Sequence, residues 1–193
     1  MNATVKMVII LGTYTDTLYQ DNGKTFTFEK ASFKGGVFMG GNSVISCTKD
    51  ITIDGTAFKS TSDVFTIAGD FTYKTGGFTH NSGKLVFNKG ASSTTTISST
   101  SNSVTVSLYK AEFGAPTYNT TFNVRNIDLQ VNNDLTVTGD SSLFINSNSS
   151  SVIQAKGSVT SSNTNSTGGG TATIEINGTG SQTLSDNTVV AAH

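Results

Sequence analysis

Apolar and polar residues alternate along this chain in short runs, and each run stops at a small turn residue. One phrase recurs: apolar, any, apolar, any, glycine. It reads Ile51-Thr52-Ile53-Asp54-Gly55, Phe65-Thr66-Ile67-Ala68-Gly69 and Leu135-Thr136-Val137-Thr138-Gly139. It returns as Ile153-Gln154-Ala155-Lys156-Gly157 and Ile174-Glu175-Ile176-Asn177-Gly178, and with one residue inserted as Leu85-Val86-Phe87-Asn88-Lys89-Gly90. A period of two predicts strands with one buried face. The Gly, Asn, Asp and Ser between them tolerate the backbone of tight corners.

Cutting at the turns gives successive blocks of about 20 residues, 44–63, 64–83 and 84–103, as expected for a repeat architecture. Later blocks, 151–170 and 171–187, drift in length. Such blocks cannot bury their apolar residues alone, so they predict stacked coils around a shared core. The expected fold is all-β, a right-handed parallel β-solenoid with coils of about 20 residues. Its core would hold Ile51, Ile53, Phe65, Ile67, Phe71, Leu85, Phe87, Leu135, Val137, Ile174 and Ile176. The alternative is a β-sandwich or jelly roll, whose strands are usually longer and need no recurring block.

The chain divides into an N-terminal capping or assembly segment with the first coils (1–43), solenoid coils (44–187) and a tail (188–193). An excursion is expected near 109–122, around Pro116 in AEFGAPTYN, because proline is confined to sheet edges and turns. SSNTNSTGGG, residues 161–170, reads as a flexible loop; no Lys-Ser/Thr follows its glycines as a phosphate loop requires. The apolar run Met7 to Leu11, part of the segment Val5, Met7, Val8, Ile9, Ile10, Leu11, is too short for a membrane helix or a signal-peptide core. It predicts a short buried strand, and a candidate assembly segment.

Composition narrows function. Charged residues are 13% of the chain and the net charge is -1, which offers no basic face to displace counterions from nucleic acid. The lone cysteine, Cys47 in VISCTKD, excludes an intrachain disulfide and reads as a buried apolar residue.

GDFTYKTGGFTHNSGKLVFNKG, residues 69–90, resembles a coil repeated in large secreted bacterial surface proteins, adhesin-like or filamentous-haemagglutinin-like β-helices. NDLTVTGDSSLFI (133–145) and IEINGTGSQTLS (174–185) are similar to further parts of that pattern, and SLYKAEF (107–113) sits where such proteins carry another strand. The resemblance covers about residues 44–185 and departs at 91–103. It implies an extracellular, cell-surface rod and gives His80, in THNSG, a place in a repeated turn.

Candidate chemistry is sparse. Two histidines, His80 and His193, with one cysteine do not supply the three or four ligands of a zinc site. Asp128, Asp134 and Asp140 are evenly spaced, and Arg125 lies near them, the residue types a polysaccharide-active β-helix enzyme would use. Intervening turns destroy that parity, and solvated turn carboxylates are the simpler reading. No cofactor is expected beyond an incidental calcium ion, and neither the EF-hand nor the nonapeptide calcium pattern is present. The expected function is a non-enzymatic structural or adhesive module with no membrane span. Its partners would be further copies added end to end, or cell-surface glycans and proteins. Tyr109, Phe113 and Tyr118 are the aromatic candidates for glycan contact.

Overall fold

The computed structural model describes residues 3–89, 94–101, 104–145, 150–164 and 171–186. Every strand pairing among them is parallel, and no helix occurs among them. The strands wind into a β-solenoid of about seven turns. Turns between consecutive strands are too short for a parallel crossover, which takes a dozen residues or more. Each strand therefore pairs with the strand one coil away.

A coil has three faces. The first carries β1 (Ala3–Ile10), which continues round the corner into the second, then β3 (Phe26–Phe33), which does the same. The first face continues through β5 (Ile45–Cys47), β7 (Val64–Ile67), β9 (Lys84–Asn88) and β12 (Lys110–Arg125). It ends with β14 (Leu135–Ile145), β16 (Val159–Asn163) and β18 (Leu184–Asp186). The second face is completed by the start of β6 (Ile51–Lys59), the start of β8 (Phe71–Thr79), β10 (Thr94–Ser99) and the ends of β12 and β14. The third begins with β2 (Thr17–Tyr19), β4 (Val37–Met39) and the ends of β6 and β8. It resumes as a separate ladder of β11 (Val104–Leu108), β13 (Ile127–Val131), β15 (Ile153–Ala155) and β17 (Ile174–Ile176).

One register column gives the coil length. It runs Val5, Phe28, Cys47, Ile67, Phe87, Phe113, Val137, Ser161 and Asp186. The steps are 23 residues from Val5 to Phe28, 19 to 20 from Phe28 to Phe87 and 24 to 26 beyond it, so the 20-residue coil holds only between Phe28 and Phe87. The recurring glycine phrase is not the coil unit. Ile51 lies on the second face, Phe65 and Leu135 on the first, and Ile153 and Ile174 on the third. The phrase marks a corner, where the strand either ends or, as at Gly55 in β6 and Gly139 in β14, bends onto the next face.

The core fills the lumen. Phe38, Phe58 and Phe78 stack one above another, with centroids 4.7 and 5.7 Å apart and planes inclined by 17° and 8°. Offset stacking of this kind adds to the area the rings bury. Of the expected core, nine residues from Ile51 to Val137 are buried; Ile174 is half-buried and Ile176 is exposed, for a reason given below. The corner between the second and third faces takes a left-handed residue in coil after coil: Gly36 (φ 63°), Gly55 (φ 90°), Gly76 (φ 106°) and Asn126 (φ 56°). A Cβ at Gly76 would collide with the backbone of Thr56 one coil below.

The expected excursion is a bulge within β12. Ala115 aligns with Gly139 and Thr120 with Ser141, so five residues span what two span in β14. Residues 161–163 of the expected flexible loop are part of strand β16; residues 165–170 lie outside the described residues, as does the tail 188–193.

Candidate functional site

The inward column of the first face runs Phe26, Ile45, Phe65, Leu85, Ala111, Leu135, Val159 and Leu184. From Ile45 to Val159 these residues are at most 5% exposed, whereas Leu184 is 71% exposed. Ile176 is 43% exposed although Leu108, Val131 and Ala155 below it in register are buried. Both occupy core positions with no coil above them among the described residues. The strands that carry them, β17 and β18, pair on one side only among the described residues.

The opposite end is also open. Among the described residues strand β1 pairs only with β3, and β2 only with β4. The buried strand expected over Met7–Leu11 is instead an edge strand. Met7, Ile9 and Leu11 are more than half exposed and Val5 is 37% exposed, while Val8 and Ile10 pack partly against the core. Past the corner alternation explains this: Val8 and Ile10 align with the buried Ala31 and Phe33, whereas Met7 and Ile9 align with Lys30 and Ser32. Next to this edge a hollow of about 370 Å³ opens among Leu18, Tyr19, Phe26 and Phe38, with Asp21 and Lys24 at its border. The six residues of the expected assembly segment thus lie together on one end of the stack.

The aromatic candidates separate. Phe113 is fully buried, stacked on Phe87 at 5.2 Å and set edge-on to Phe122 at 5.6 Å, so its ring is unavailable to a glycan. The alternating pattern of β12 turns it inward, which the aromatic count alone did not reveal. Tyr109 is half-buried against His80, with ring centroids 5.6 Å apart. The side chain of Tyr118 lies outside the described residues.

His80 is a turn residue. Its Nδ1 accepts a hydrogen bond from the Ser82 amide at 2.9 Å, and the Gly83 amide donates to its carbonyl at 3.0 Å. Asn81 (φ 49°) and Ser82 (φ 60°) are left-handed between them. Burial holds the imidazole below its usual pKa. The ring sits where the third face breaks: β11 lies beside β8 without joining its ladder, and the His80–Tyr109 contact spans that seam.

The carboxylates do not converge on a groove. Asp128 lies on β13 and its Oδ1 accepts the Val152 amide at 2.8 Å. Asp134 sits in the turn before β14 and pairs with Lys110 at 2.8 Å. Asp140 is in β14 at the next corner. The motif is general: Asp50 Oδ1 accepts the Asp70 amide and Asp70 Oδ1 accepts the Thr96 amide, each joining one coil to the next. Sequence reading missed this stitch, although the 20-residue spacing of Asp50 and Asp70 signalled it. No group of three or more His, Cys, Asp or Glu residues able to hold a metal ion occurs among the described residues.

Cys47 is fully buried in the core column, as its setting predicted. Desolvation pushes its thiol up to about 11, so the reactive thiolate is scarce at neutral pH. No protein-family model, curated protein or solved structure matches the chain.

Proposed function

We propose that this chain is a non-enzymatic structural module that extends coil upon coil, its open ends adding to further copies in an extracellular, surface-attached or fibrous setting. The observation that carries the reading is Leu184, 71% exposed at a position whose seven register mates form the core column. Covering a leucine is worth about 1.5–3 kcal/mol. An uncovered end also presents a row of unpaired backbone groups, a template for another strand. Both ends expose apolar side chains, and every coil stacks on the next in parallel, so continuing the stack joins the ends head to tail. Head-to-tail contacts that do not close into a ring generate filaments.

Absence of catalysis and of a cofactor belongs to the same proposal. It is supported by the structural duties of Asp50, Asp70, Asp128 and Asp134. Sedimentation of the full chain against concentration tests the reading. Self-association is expected, and Leu184→Asp at one end or Ile10→Asp at the other abolishes it; deleting residues 1–12 does so too or unfolds the monomer. A folded wild-type chain that stays monomeric up to millimolar concentration sinks it.

A further inference from the structure

The solenoid answers its charges across coils. Lys30–Asp50, Lys49–Glu29, Lys84–Glu112 and Lys110–Asp134 are ion pairs of 2.8 Å, and Lys74–Asp54 is one of 3.3 Å. Each joins neighbouring coils. Arg125, the chain's one arginine, breaks the rule. It is exposed at the end of β12, its register partner is Ser98, and it makes no ion pair among the described residues.

An unpaired cation alone is common, and other lysines here also lack a bridge. What distinguishes Arg125 is its surroundings. It borders a cleft of about 350 Å³ whose other described walls are Thr96, Ser98, Ser99, Thr100 and Asn126. Its described lining is thus four hydroxyl-bearing residues, one asparagine and one arginine, with no acidic residue among them. Asn126 turns the corner with its left-handed backbone, carrying the chain from Arg125 on the second face to β13 on the third. Polar surplus collects on the same two strands. Asn123 Oδ1 on β12 and Thr95 Oγ1 on β10 are buried without a hydrogen-bond partner among the described residues; Asn123 stands in register with the cleft residue Thr96, whereas Thr95 is on the core side of its strand. Such groups are uncommon in folded proteins.

We propose that this cleft binds a carboxylate-bearing sugar, with Arg125 as its anchor. A guanidinium presents a planar fork that matches a carboxylate with two parallel hydrogen bonds. The hydroxyls of Thr96, Ser98 and Thr100 and the Asn126 amide are both donors and acceptors, the complement of sugar hydroxyls. The volume suits one or two sugar rings, and the open, shallow form suits a unit within a longer chain. This inference is independent of end-to-end assembly, because the cleft lies on a side face of the middle coils.

The test is NMR titration of the folded chain with glucuronate, with glucose as the neutral match and with acetate and sulfate as bare anions. Glucuronate is expected to shift the amides of residues 96–100 and 125–126 saturably, with glucose and the bare anions at least tenfold weaker. Arg125→Gln is expected to weaken glucuronate about tenfold or more, the loss of a charged hydrogen-bonding partner, while the melting temperature is unchanged. Arg125→Lys, keeping the charge but not the fork, is expected to fall between. No saturable shift in the wild type overturns the proposal. So does equal binding of sulfate and acetate, which means an adventitious ion only, or unchanged glucuronate binding in Arg125→Gln.

Discussion

The coils before residue 80 and those after 84 solve the same packing problem with different side chains. In the first set, steps of 19 to 20 residues hold a continuous third-face ladder, and the lumen is filled by the rings of Phe28, Phe33, Phe38, Phe58, Phe65 and Phe71. In the second set, steps of 24 to 26 residues carry extra chain into the corners. The third-face core there is aliphatic: Val106, Leu108, Leu129, Val131, Ile153 and Ala155. The change falls at the seam between β8 and β11, where His80 and Tyr109 meet. Uniform coil length keeps identical rings in register so that they stack. Where the third face resumes after the seam, branched aliphatic side chains, which need no shared orientation, take over its core, while Phe87, Phe113 and Phe122 keep rings on the other two faces.

The largest test of that contrast is truncation in each half. Phe58 is buried between Phe38 and Phe78, and Phe58→Ala is expected to cost about 4–5 kcal/mol, against about 2–3 kcal/mol for Leu129→Ala. Urea melts of the two variants measure the difference. Equal losses would remove the special role of the stacked rings.

The corners give a smaller effect. Gly76→Ala forces a Cβ against the Thr56 backbone at φ 106° and is expected to cost about 1–3 kcal/mol. Asn126→Gly, at the equivalent corner of a later coil, is expected to cost less than Gly76→Ala, since glycine accepts this backbone. Thermal melts of the pair show whether the shared left-handed corner is required.

The smallest effect is at the seam. Burial lowers the His80 pKa from the usual 6.5, so the folded state favours neutral imidazole. Its contribution is complete above pH 6.5 and is lost as pH falls through the lowered value. Protonating Nδ1 also breaks its bond from the Ser82 amide. The stability gap between wild type and His80→Ala is therefore expected to narrow from pH 8 to pH 5. A gap that is constant across that range contradicts the assignment.

Much of this fold was legible in the alternation of residues such as Phe65-Thr66-Ile67 and in the spacing of blocks 44–63 and 64–83. The three faces were not, because a period of two names a strand without saying which face of the coil it joins. The glycine phrase misled for the same reason, recurring at corners and not at one place per coil. Ile176 and Leu184 carry a core pattern and are exposed, a fact of position in the stack that local sequence does not encode. Phe113 was misassigned because an aromatic cluster reads alike whether it faces a ligand or the lumen. The Arg125 cleft was invisible, since Thr96, Ser98 and Arg125 meet only when β10 and β12 align.

The central claim is that the open ends join. Negative-stain electron microscopy of the purified chain, run beside size-exclusion chromatography, tests it most directly. The account predicts uniform filaments or end-joined rods in wild type and short, single rods in Leu184→Asp. Isolated short rods in both, at every concentration examined, would contradict it.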